Sequence, residues 1–185
     1  MSVRMTLRKT VLIGGLVCLA GVHPASAHRL DEYLQATTVD LAREGVTLRL
    51  RLTPGVDVAG RVIPQIDRNR DGVISAEEQQ AYAAQTAHSL SVTLNGKPVA
   101  LQAVSASFPT LSAIKGGEGV IALQFSVPRV LQKGAYHLAY TNHGAGADTV
   151  YLVNCLQPQA PGIQVQGQKR SADQASYQLD FVVTE

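Results

Sequence analysis

Residues 67 to 78 read Asp-Arg-Asn-Arg-Asp-Gly-Val-Ile-Ser-Ala-Glu-Glu. This run constrains the fold strongly, because it spaces oxygen-bearing side chains around one glycine. Asp67, Asn69 and Asp71 fall at the first, third and fifth positions, so their side-chain oxygens converge on one point. Gly72 stands sixth, where the chain must turn sharply and a Cβ would obstruct it. Val73 offers its backbone carbonyl. Ser75 ligates directly or holds a bridging water. Glu78, at the twelfth position, closes the shell with both carboxylate oxygens. A hard cation that takes several oxygen ligands, Ca²⁺, suits this set. Ile74 supplies the apolar side chain that pins the loop to its surroundings.

The run fits the EF-hand pattern at every fixed position. It therefore predicts a helix on each side. Val56 to Ile66 is the entering helix, weakened by Gly60 and frequent valine, with Pro64 expected to shorten or kink it. Ala76 to Ser89 is the exit helix, rich in Ala, Glu and Gln, with Tyr82 as a packing anchor. Ser75-x-x-Glu78 also reads as a capping box at its start, which is compatible with the ligand reading.

The first 27 residues read as a secretory leader. Arg4, Arg8 and Lys9 form a basic head, Thr10 to Val22 is short and apolar, and Ala25-Ser26-Ala27 is a cleavage site. The apolar run is too short to span a bilayer comfortably. Val17 before Cys18 argues against a lipid anchor. The expected mature chain, residues 28 to 185, is a single β-rich domain with an EF-hand insertion at about 55–89. The leader carries three of the 16 basic residues and none of the 14 acidic ones, so the remainder is close to neutral. Nothing in that balance points to a nucleic-acid partner. No later segment is long and apolar enough to cross a membrane. Cys155 is the one cysteine outside the leader. It is read as a buried, inert thiol, with an intermolecular bridge as the alternative.

Most of the remainder reads as strands. Leu34 to Leu41 and Val46 to Leu52 flank Arg43-Glu44-Gly45, a hairpin turn. In the second run Val46, Leu48, Leu50 and Leu52 alternate with Thr47, Arg49 and Arg51, one face buried and one wet. Leu90 to Leu94 and Val99 to Val104 are joined by Asn95-Gly96-Lys97-Pro98, a hairpin signal. Ser105 to Phe108 extends the second of these, and Lys115 to Gly119 is a loop. Val120 to Val127, Ala135 to Thr141 and Val150 to Leu156 are further strands. Ile163 to Gly167 pairs with Tyr177 to Val183. About eight short strands with turns between them predict an antiparallel β-sandwich or open barrel.

The opening Ala27-His28-Arg29-Leu30-Asp31-Glu32-Tyr33-Leu34-Gln35-Ala36 resembles the start of a bacterial family of exported EF-hand-domain proteins. The resemblance continues through Leu52-Thr53-Pro54-Gly55-Val56, the loop, Tyr151-Leu152-Val153-Asn154 and Asp180-Phe181. It implies Ca²⁺ binding and an exported location, periplasmic or secreted, rather than a reaction. The opening is also similar to extracytoplasmic parts of nickel/cobalt transporters, which implies a soluble accessory near metal uptake or export.

Other residues form no chemical set. Cleavage at Ala27 would leave His28 at the N-terminus, offering its amine and a ring nitrogen to Cu²⁺ or Ni²⁺. His88, His137 and His143 show no metal-ligand spacing with it, and unrelated surface histidines are the favoured reading. There is no Gly-x-Ser-x-Gly and no phosphate loop, so an enzyme is not expected. The expectation is an exported protein with one EF-hand, structural or modulating an envelope partner. The alternatives are a transition-metal accessory acting through His28, for Ni, Co or Cu, and a β-sandwich interaction module.

Overall fold

The computed structural model describes residues 31–144 and 146–184. The leader, its cleavage site and His28 lie outside the described residues. Period-two patterning sets the frame. β1 (Tyr33–Ala42) and β2 (Gly45–Pro54) form an antiparallel hairpin in which Tyr33 faces Pro54 and Ala42 faces Gly45. Gly45 has φ +148°, and a Cβ there would meet the Val127 carbonyl oxygen at 2.2 Å. Only glycine fits that corner.

The described strands form two five-stranded sheets with open edges. One runs β5 (Gln102–Ser107), β6 (Ile121–Pro128), β2, β1, β8 (Thr149–Cys155). The other runs β4 (Lys97–Pro98), β3 (Leu90–Leu94), β7 (Gly134–Asn142), β10 (Ser176–Val183), β9 (Ile163–Arg170). Leu48, Leu50 and Phe125 of the first share one core with Leu138, Tyr177 and Phe181 of the second. Side-chain hydrogen bonds cross between the sheets: Thr37 Oγ1 meets Tyr140 Oη at 2.8 Å, Asn142 Nδ2 donates to Gln35 Oε1 at 2.8 Å, and Arg170 of β9 donates to Asn154 Oδ1 of β8 at 2.7 Å. The β-rich sandwich with a helical insertion is therefore as the sequence predicts, and no barrel closes.

Three details differ from expectation. The pairing is not wholly antiparallel, because β8 runs parallel to β1, with Tyr33 beside Thr149 and Val39 beside Cys155. β8 follows β7, a strand of the other sheet, so no hairpin fixes its direction. The hairpin at Asn95 and Gly96, with φ 51° and 74°, has the I′ signature. Its second strand, however, spans only Lys97–Pro98, followed by one more bond to β3 from the Val99 amide to the Val92 carbonyl at 3.0 Å. The chain then joins the opposite sheet as β5, so Val99 to Val104 is not one strand. Finally, a short helix, α3 (Leu111–Lys115), precedes the expected loop. Thr110 caps it by accepting from the Ala113 amide at 3.2 Å.

α1 (Val56–Ile66) and α2 (Ala76–His88) form the helical insertion after β2. α1 runs through Gly60 and Pro64 to Ile66, so Pro64 does not shorten it. Its buried face of Val58, Ala59, Val62 and Ile66 holds it in place. The Asp67 amide continues the helical bonding by donating to the Ile63 carbonyl at 2.9 Å. Tyr82 of α2 anchors the second helix as expected. It packs edge-on against Phe108, with ring centroids 5.8 Å apart, and its hydroxyl meets that of Tyr33 at 2.7 Å.

Candidate metal centre

The segment from Asp67 to Ser75 joins α1 to α2, and the twelve-residue run ends inside the capped first turn of α2, at Glu78. Arg70 at φ 62° and Gly72 at φ 85° make the reversal. A Cβ on Gly72 would meet nothing within 4 Å, so the demand for glycine there is one of backbone conformation rather than space. Side-chain oxygens fold over the loop through its own amides. Asp67 Oδ2 accepts from the Gly72 amide at 3.1 Å, Asn69 Oδ1 from the Asp71 amide at 3.0 Å, and Asp71 Oδ1 from the Val73 amide at 2.8 Å. Asn69 Nδ2 also donates to Asp71 Oδ2 at 2.9 Å. The side chain of Ile74 packs against the core as the sequence predicts, whereas that of Val73 is exposed.

Asp67 is only 5% exposed, and its Oδ1 has no hydrogen-bond partner. A buried carboxylate oxygen without a partner is costly. A cation in the loop would remove that cost. The donor set also fits Ca²⁺, being all oxygen and rich in carboxylates: Asp67, Asn69, Asp71, the Val73 carbonyl, Ser75 and Glu78. Arg68 and Arg70 are exposed.

Glu78 is placed differently from its expected role. Its Oε1 accepts from the Arg68 and Asn69 amides at 2.9 and 3.3 Å. Its Oε2 accepts from the Ser75 amide and hydroxyl at 2.9 and 2.8 Å. The Glu78 amide donates to Ser75 Oγ at 3.3 Å, completing the capping box. These donors, Ser75 foremost, hold the Glu78 carboxyl down to about 2. Coordination by Glu78 would require its carboxylate to leave some of them. No three His, Cys, Asp or Glu side chains are grouped to hold a metal among the described residues.

Among the described residues the histidines do not gather into a second centre. His137 Nδ1 pairs with Asp180 Oδ1 at 2.7 Å across β7 and β10. His143 Nε2 meets Ser91 Oγ at 3.2 Å, and His88 ends α2. Cys155 is buried, and burial followed by the nearby Asp40 pushes its thiol up to about 11, which makes it unreactive.

One feature of the helix pair escapes sequence reasoning. α1 and α2 together with the start of β1 and the end of β2 line an open cleft of about 380 Å³, to which Gly144 and residues 146–149 also contribute. Arg61 of α1 pairs with Asp148 at its edge. The α1 and α2 spacings are readable, but Asp148 lies 87 residues from Arg61 in a loop before β8, and no local pattern announces it.

Compared with known protein families, with characterised proteins and with solved structures, the chain finds no significant match.

Proposed function

We propose that this is an exported protein that binds one Ca²⁺ in the loop from Asp67 to Glu78, as an EF-hand does. The observation that carries the reading is the buried, unpartnered Oδ1 of Asp67 at the first position of a fully matched loop. The leader-like first 27 residues and the family resemblance support export, to a periplasm or beyond the cell. The role is structural: the ion ties the end of α1 to the start of α2, and the large sheets stand in for the partner hand that EF-hands commonly have. Extracellular calcium modules bind with dissociation constants on the order of 10⁻⁴–10⁻³ M, and the two arginines in the loop favour the weak end.

Calorimetric titration of the purified protein with Ca²⁺ tests this. Saturable one-to-one binding is expected, abolished in Asp67→Ala and in Glu78→Ala. Binding by either variant equal to that of the parent would refute the ligand assignment. Titration with Ni²⁺ and Cu²⁺ separates the accessory reading, which predicts a site lost in His28→Ala while Ca²⁺ binding stays.

A second reading, an interaction module, is favoured by the open edge at β5. Val104 on that strand is exposed. An envelope protein could add a strand there.

A further inference from the structure

We propose that the cleft between the helix pair and the first sheet binds a small zwitterion, with an α-amino acid as the simplest member of the class. Its volume of about 380 Å³ lies in the range of small-molecule sites. One face of α1 supplies Val58, Arg61, Val62 and Gln65. One face of α2 supplies Tyr82, Gln85, Thr86 and Ser89. Both sets follow the same i, i+3, i+4, i+7 spacing, so each helix turns a whole stripe toward the cleft. Tyr33, Gln35 and Leu52 form the floor.

The charges choose the ligand. Arg61 and Asp148 are the charged side chains among the described residues that line the cleft, and they pair with each other at its solvent edge. Their side chains are 64% and 47% exposed. An exposed pair of this kind contributes little to stability, so opening it costs little. A ligand with one charge would engage one partner and leave the other, exposed, to water. A zwitterion satisfies both: its carboxylate takes the planar fork of Arg61, and its ammonium takes Asp148. Val58, Val62 and Leu52 back the cleft behind this pair and make its interior apolar. The hydroxyls of Tyr33 and Tyr82, already bonded to each other, leave the interior uncharged.

Both walls of the cleft are the helices that flank the calcium loop. Calcium should therefore set the width of the cleft and strengthen zwitterion binding. This linkage rests on the calcium reading, whereas the cleft itself does not.

The test is calorimetric titration of the purified protein with L-leucine and L-glutamine, each in EDTA and in saturating Ca²⁺. Saturable binding of at least one amino acid is expected. Arg61→Met and Asp148→Asn should each weaken it about ten-fold or more, the loss of a charge-assisted contact. N-acetyl-L-leucinamide, which has neither charge, should not bind. Failure of both amino acids to bind in either buffer overturns the proposal, as does equal binding of the neutral amide. Direct titration with Ca²⁺ is scored separately. Zwitterion binding that is the same in both buffers refutes the linkage alone and leaves the site intact.

Discussion

α1 and α2 lie on either side of one loop and reach the same state by opposite means. α1 contains Gly60 and Pro64, several β-branched residues and no side-chain cap at Gly55. Intrinsic preference opposes it. It is held by the burial of Val58, Ala59, Val62 and Ile66. α2 begins with a complete capping box and consists largely of good helix formers. Its buried residues are few: Glu78, Tyr82 and Ala83. One helix is made by its tertiary contacts and the other by its own sequence. A Ca²⁺ ion between them would link a packed element to a self-supporting one, which suits a tie better than a switch.

The largest expected effect comes from the packing of α1. Ile66 is fully buried, and Ile66→Ala should cost about 2–5 kcal/mol of stability. Urea unfolding in EDTA measures this without any contribution from bound metal. A cost below 1 kcal/mol would mean that α1 does not depend on its contacts, and the contrast between the helices would fail. Next comes the cap of α2. Ser75→Ala removes the hydroxyl that accepts from the Glu78 amide and donates to Glu78 Oε2, and it should cost about 1 kcal/mol.

The same cap has a pH signature. The Glu78 carboxyl falls from an ordinary 4.5 to about 2 in the folded protein, through hydrogen bonds from Ser75 first and then from Asn69 and Arg68. The folded state thus favours the charged form. The stabilisation is complete above pH 4.5 and is lost as pH falls toward 2. Urea midpoints followed over that window in EDTA should fall more steeply for the parent than for Glu78→Gln. Parallel curves would show that the charge on Glu78 adds nothing to the cap.

This contrast also explains what the sequence could reveal. α2 was legible because its determinants are local: Ser75, Glu78 and the residues between them. The same holds for the loop, whose candidate ligands lie within twelve positions, and for the β1–β2 hairpin, where alternation and a glycine turn give strand limits within two residues. The limits of α1 are those read from the sequence, Val56 to Ile66, but Pro64 does not shorten it as expected, because a proline is read locally whereas Ile66 is held from elsewhere. The parallel course of β8 and the move of β5 to the other sheet depend on partners distant in sequence, and period-two patterning does not name partners. Glu78 shows a further limit. Its type and spacing suit a ligand, yet in the structure its oxygens serve loop amides and a serine hydroxyl, and both uses fit one residue.

The smallest expected effect has the opposite sign and tests whether α1 carries a local deficit at all. Gly60 is exposed in the middle of the helix, and a Cβ added there would meet nothing within 4 Å. Alanine there removes backbone freedom from the unfolded chain and adds no clash to the folded one. Gly60→Ala should stabilise the protein by about 0.5–1 kcal/mol, read as a higher urea midpoint with an unchanged slope. The same replacement should leave Ca²⁺ affinity nearly unchanged if the ion is a tie, because α1 is already formed before the ion arrives. A gain in affinity accompanying the gain in stability would instead mean that α1 is partly unfolded without Ca²⁺. The loop would then act as a switch that completes the weaker helix.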